Sequence, residues 1–251
     1  MIRTRPARTL LATALATALL AGCGGDEPPG ATPAPAASAP TTTAAAAGGG
    51  SGGGGGGTPV KVLDDVDPQA ALAKIGQKLP GNQDPVGGTG WTDSAGENLL
   101  VLSASSAPGK PHDVGNETTS YNLRADLFTT KGGTTKRVRV VTDGFKDCEF
   151  DSYTEFQDKP EVSDADGDGI GEVLFGYTLG CISDTSPVEF KLLALEGADK
   201  YILRGETYTS REVISSSGPL AKTTNEPAFS AWPSGLQAEA ERRWDAWTIW
   251  R

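Results

Sequence analysis

Asp164, Asp166 and Asp168 stand at alternate positions in the stretch Asp164-Ala165-Asp166-Gly167-Asp168-Gly169-Ile170-Gly171-Glu172. Three carboxylates so close in a compact turn repel one another. A hard cation among them turns repulsion into ligation, because calcium takes about six to eight oxygens at flexible angles. Gly167, Gly169 and Gly171 supply backbone freedom to wrap an ion. The spacing predicts that the three Asp side chains ligate calcium. It predicts that Ile170 turns its carbonyl inward while its side chain enters the core, and that Glu172 closes the shell. Magnesium fits less well, since it demands near-octahedral geometry. The plain alternative is a solvated Asp-Gly turn of the same shape.

Other candidate groups carry less. Asp147, Glu149, Asp151 and Glu155 cluster in sequence, and a glycosidase needs only two carboxylates; a solvated strand edge explains them as well. A Ser-His-Asp triad would have to use His112, the one histidine in the chain, from a Pro- and Gly-flanked loop. Ser103 and Ser105 lie outside any G-x-S-x-G elbow. The Gly runs between 48 and 57 lack the Lys-Ser/Thr of a phosphate loop. We assign no catalytic residue from sequence.

The elements that position these groups begin after a long leader. Arg3, Arg5 and Arg8 precede an apolar stretch from Leu10 to Leu20, too short for a comfortable membrane span. Leu20-Ala21-Gly22-Cys23 follows and resembles the lipobox of bacterial lipoproteins. The resemblance implies a signal peptide over 1–22, acylation of Cys23 and a membrane partner reached through that lipid. Gly24 in place of Asp resembles cargo for the outer membrane of a diderm host. An ordinary signal peptide cut near Gly22 is the alternative. Residues 23–58 are then a lipidated Cys and a disordered tether of Gly, Pro, Ala, Thr and Ser, with nothing to bury against its ordering entropy.

All 17 aromatic residues lie between Trp91 and Trp250, so the packed domain is expected over 91–251. Residues 59–90 read as an approach segment. Asp67-Pro68 predicts a helix start, and Leu72, Ile75 and Leu79 give it one apolar face over 68–78. Gly81 to Gly90 reads as loop. Beyond Trp91 the dominant period is two. Leu99 to Ser103, Tyr121 to Leu127, Glu172 to Leu179 and Val188 to Leu192 read as strands, as does the stretch where the apolar Val138 and Val140 alternate with Arg137 and Arg139. Gly197-Ala198-Asp199 turns a hairpin into Tyr201-Ile202-Leu203. Ser234 and Gln237 suggest a capping box, after which Leu236, Ala240, Trp244 and Trp247 stripe a helix over 235–248. The expectation is a mainly β fold, an antiparallel sheet or sandwich with a short N-terminal and a C-terminal helix. The Trp residues are expected in the core, with a sugar-stacking platform as the alternative.

Cys148 and Cys181 remain after the anchor. Export to an oxidising compartment makes a disulfide between them the default, ahead of a catalytic thiol.

Several stretches resemble a family of bacterial exported proteins known as surface polysaccharide biosynthesis proteins. They are Trp91-Thr92-Asp93 with Gly96-Glu97-Asn98, Cys148-Glu149-Phe150-Asp151, Gly171-Glu172-Val173 with Tyr177, Cys181 with Asp184-Thr185-Ser186-Pro187, and Lys200 to Gly205. The acidic loop itself is similar to the D-x-D-G-D-G-x-x-D calcium loops of integrin-type repeats, with Glu172 for the last Asp. Its second half departs from an EF-hand, which has Glu where Phe175 stands. The family resemblance implies a link to surface glycans and no particular reaction.

A net charge of −10 and a sequence pI near 4.7 argue against nucleic acid as partner. Two function classes follow. One is a non-catalytic envelope lipoprotein that binds or helps assemble surface polysaccharide, or engages an envelope protein such as a cell-wall hydrolase. The other is a carboxylate-dependent glycan hydrolase.

Overall fold

The computed structural model describes residues 59–63, 66–111, 115–207, 222–223 and 227–247. The expected signal peptide over 1–22, the expected lipidated Cys23 and tether over 23–58, His112 and Trp250 lie outside the described residues. Among the described residues, twelve strands run β1 (Lys61–Leu63), β2 (Asp84–Thr92), β3 (Glu97–Pro108), β4 (Thr119–Lys131), β5 (Thr134–Cys148), β6 (Asp151–Ser152), β7 (Glu155–Ser163), β8 (Glu172–Leu179), β9 (Cys181–Ile182), β10 (Val188–Glu196), β11 (Asp199–Thr207) and β12 (Lys222–Thr223). Helix α1 spans Pro68–Lys74, and α2 spans Ser234–Trp247. Every strand pair is antiparallel. One sheet has the order β1-β2-β3-β4-β5, a second has β12-β11-β10-β8-β7, and β6 pairs with β9.

The two large sheets face each other. Trp91, Leu100, Leu102, Leu123, Ala125 and Leu127 of the first sheet share one buried cluster with Val173, Phe175, Tyr177, Leu179, Leu193, Leu195 and Ile202 of the second. Each sheet also has its outer face covered. Helix α1 lays Leu72 over Leu99, Val101 and Phe128. Helix α2 lays Leu236, Ala240, Trp244 and Trp247 over Leu174, Phe190, Leu192, Ala194 and Leu203. The result is four layers: helix, sheet, sheet, helix. It explains why Leu99–Leu102 and Val173–Phe175 read as short apolar runs: both faces of these strands are buried.

Local choices agree with this plan. Asp67 caps α1, its Oδ1 accepting the Gln69 and Ala70 N–H groups at 2.9 and 3.1 Å. The turn Gly197-Ala198 joins β10 to β11, with Gly197 at φ +52° and Glu196 paired to Asp199. The buried Trp232, Trp244 and Trp247 pack as core, not as a sugar platform.

Four expectations are corrected. Gly81 to Gly90 is not all loop, because β2 begins at Asp84. Its glycines mark a close crossing: a Cβ on Gly88 would stand 2.6 Å from the Leu100 carbonyl oxygen and 3.4 Å from Pro68 Cγ. Val140 is exposed. A β-bulge opposite Leu127 and Phe128 switches the parity of β5, so Val138 and Val141 pack inward instead. The expected capping box of α2 gives way to another arrangement, in which the Gln237 side-chain amide donates to the Trp232 carbonyl at 2.7 Å. The Ile170 side chain is half-buried and joins none of the three apolar clusters.

Cys148 and Cys181 form a disulfide, with Cα atoms 5.6 Å apart. It joins the end of β5 in the first sheet to the segment just after β8 in the second. Disulfides persist in oxidising compartments, which accords with an extracytoplasmic location. Among the described residues no helix is long and apolar enough to cross a membrane.

Candidate functional site

The acidic loop connects β7 to β8 at one end of the sandwich. Its shape is set by short hydrogen-bonded turns. The Gly169 N–H donates to Asp164 Oδ2 (3.1 Å), the Asp168 N–H to Asp166 Oδ1 (3.2 Å) and the Ile170 N–H to Asp168 Oδ1 (2.7 Å). Gly167 and Gly169 sit at φ +81° and +84°, where a side chain would be strained.

Three neighbours hold the loop in place. Asp93, buried in the β2–β3 turn, accepts the Gly171 N–H at 3.0 Å and the Trp91 indole N–H at 2.8 Å on Oδ2. Its Oδ1 accepts from Ala95 and Gly96. The Ser94 N–H donates to the Gly169 carbonyl at 3.0 Å. Gly171 must be glycine, because a Cβ would meet the Trp91 indole at 2.7 Å. On the other side, Gly235 of α2 lies directly against the Ala165 carbonyl, and Ser163 Oγ donates to Glu239. The loop thus touches both sheets and the C-terminal helix.

Carboxylate oxygens converge in two overlapping sets. Asp164, Asp166 and Asp168 bring one oxygen each to within 4.8 Å of one another, and so do Asp166, Glu172 and Glu196. A calcium about 2.4 Å from each donor spans donors up to about 4.8 Å apart, so either set has the right dimensions. Asp166 and Asp168 are exposed, Asp164 is half-buried and Glu172 is fully buried. Asp164 and Glu172 each spend one oxygen on the loop, Glu172 Oε2 accepting the Ala165 N–H at 2.8 Å. Their other oxygens, Asp164 Oδ1 and Glu172 Oε1, are buried with no hydrogen-bond partner. A buried ionised oxygen without a partner is costly, and a cation removes that cost.

Burial pushes the Glu172 carboxyl up to about 7, with the Asp166 and Glu196 charges adding to the rise. Burial likewise raises Glu196, reinforced by Asp166, Asp168 and Asp199. Glu172 therefore gives a test. Its folded value lies above the ordinary 4.5. The ion-free folded chain then binds the proton more tightly than the unfolded chain. The associated stability is fully present below pH 4.5 and is lost as pH rises through about 7. In chelator at pH 8, Glu172→Gln is expected to raise stability by about 1–3 kcal/mol, the cost of an unsatisfied buried group, and to flatten that slope. In calcium the sign reverses and the variant melts below the parent. Melting curves at pH 5 and 8, with chelator and with calcium, read both signs. A variant less stable than its parent in chelator at pH 8 would refute the account.

Sequence reasoning missed Glu196 and the anchoring part of Asp93. Glu196 lies far along the chain, and only the pairing of β8 with β10 brings it to the loop. Trp91-Thr92-Asp93 and Gly171-Glu172 are noticed as separate stretches in the sequence; the structure brings them into contact.

The other acidic candidates do not converge in the same way. Asp147, at φ +55°, has Oδ1 accepting the Lys110 N–H at 2.8 Å and the Ser120 hydroxyl at 3.3 Å. Glu149 accepts from Asn116. Glu155 lies apart, in a groove of about 570 Å³ between β1, β2 and β7, where burial raises its carboxyl. Val62, Leu63 and Val86 expose apolar surface to that groove, beside Phe156 and Lys159. Comparison with protein-family models, with curated proteins and with solved structures finds no match for this chain.

Proposed function

We propose that this chain is a non-catalytic envelope lipoprotein, anchored through Cys23, whose calcium-stiffened sandwich binds or helps assemble surface polysaccharide. The calcium is held in the acidic loop by Asp164, Asp166 and Asp168, the Ile170 carbonyl and Glu172. The observation that carries the metal reading is the pair of buried, unpartnered oxygens on Asp164 and Glu172 beside the exposed Asp166. The glycan reading draws on the resemblance to exported polysaccharide proteins. The groove between β1, β2 and β7 supports it, since apolar side chains beside Glu155 and Lys159 suit a sugar ring and its hydroxyls.

The hydrolase alternative is weaker, because Asp147 and Glu149 already hold neighbouring loops. A protein partner, such as a basic cell-wall hydrolase, is a second reading favoured by the net charge of −10.

Calcium at about 100 times its Kd adds about 2.7 kcal/mol to the folded state. Chelation is therefore expected to lower the melting temperature of the full chain, and Asp166→Ala to erase that calcium dependence. Identical melting curves with and without chelator would overturn the metal reading. A glycan-binding screen, repeated with Glu155→Gln, tests the rest: retained binding without turnover supports the module, and turnover lost with Glu155 supports the hydrolase.

A further inference from the structure

One carboxylate from outside the nine-residue acidic stretch reaches the loop. The pairing of β8 with β10 ends at Val173 and Leu195. One step further it sets Glu172 and Glu196 beside each other at the mouth of the loop. Like charges directly opposite on neighbouring strands are destabilising. Here the pair is joined by Asp166, with one oxygen from each of the three within 4.8 Å. Glu172 is wholly buried, and its Oε1 has no hydrogen-bond partner. A third carboxylate thus stands beside a buried glutamate that keeps an unsatisfied oxygen, where a donor would be expected. A cation is the species that makes this arrangement favourable.

We propose that Glu196 is a ligand of the bound calcium, so that Asp166, Glu172 and Glu196 hold the ion between the acidic loop and the β10–β11 hairpin. The inference rests on the loop being a cation site and adds a donor from a distant part of the chain. All three donors are carboxylate oxygens, which suits a hard divalent ion. The site is then discontinuous. The ion ties a hairpin of the second sheet to a loop that Asp93 already ties to the first.

The test is calorimetric titration of the full chain with calcium chloride. Glu196→Gln is expected to weaken binding roughly tenfold or more, since ligand charge count sets affinity at such sites. Asp199→Asn is the control. Asp199 faces Glu196 across the turn and carries the same charge, but its carboxylate is outside the set. Its loss should change affinity far less. Terbium in place of calcium gives a direct readout, because loss of one protein ligand admits an additional water and shortens the luminescence lifetime. If Glu196→Gln binds like the parent with unchanged terbium hydration, Glu196 is not a ligand. The same holds if Asp199→Asn weakens binding as much. In either case the loop remains a calcium site provided Asp166→Ala abolishes binding. If the parent binds no calcium, both readings fall. Should Glu196→Gln fail to fold, Glu196→Asp keeps the charge but withdraws the oxygen; weakened binding supports the proposal, and parent-like binding overturns it.

Discussion

Trp244→Ala is expected to remove about 3–5 kcal/mol of folding stability, the range for truncating a buried Trp. The indole is 4% exposed and meets the Phe190 ring edge-on at 5.0 Å. It belongs to the cover that α2 places over Leu174, Phe190, Leu192, Ala194 and Leu203. Phe190 cannot fill the space left behind, because β10 is paired on both sides, to β8 and β11. The void therefore persists, and its cost adds to the lost transfer energy. Against a total stability of about 5–15 kcal/mol for a typical domain, such a loss approaches unfolding. Urea denaturation of parent and variant measures it. A loss below about 1 kcal/mol, within the scatter of surface substitutions, would mean that α2 does not cover the sheet as described.

Replacing both Cys148 and Cys181 by Ser is expected to cost about 3–4 kcal/mol, from the entropy an unfolded chain regains when a loop of 33 residues is opened. The bond links β5 of the first sheet to β9, just after β8 of the second; the two large sheets otherwise meet through side-chain packing and a few polar contacts. One such contact is Asp143, which accepts from Lys191 Nζ at 2.7 Å and from the Tyr177 hydroxyl at 2.9 Å. Parent protein in reductant should match the double variant in its denaturation midpoint. Equal midpoints for oxidised parent and double variant would show that the cross-link adds nothing.

Much of the architecture is legible in the sequence because it depends on neighbours along the chain. Asp67 before Pro68, the stripe of Leu236, Ala240, Trp244 and Trp247, and the turn at Gly197-Ala198 are local signals, and each has its expected outcome. What stays hidden depends on pairing between distant segments. The glycines of β2 look like loop until α1 is seen crossing them. Val140 looks inward-facing until the bulge in β5 is known. Glu196 is one glutamate among many until β10 lies beside β8. The acidic loop shows by its own spacing a carboxylate group that could bind a metal, but not that Glu196 stands beside it.

Strand β8 is buried on both faces, and this leaves it with an alignment problem. In a half-exposed strand, sliding by one residue would turn apolar side chains to water, and that penalty fixes the alignment. Here a slide would exchange Val173 and Phe175 for Leu174 and Gly176 in a buried setting, so hydrophobicity alone discriminates weakly. Gly176 supplies part of the missing information, since a Cβ there would meet the Phe190 and Trp247 rings at 3.0–3.1 Å. The rest comes from beyond the strand's two ends. Gly171 is held by Asp93 ahead of it, and Cys181 is bonded to Cys148 behind it. The strand is thus positioned as a ruler is, by stops at both ends and a notch in the middle.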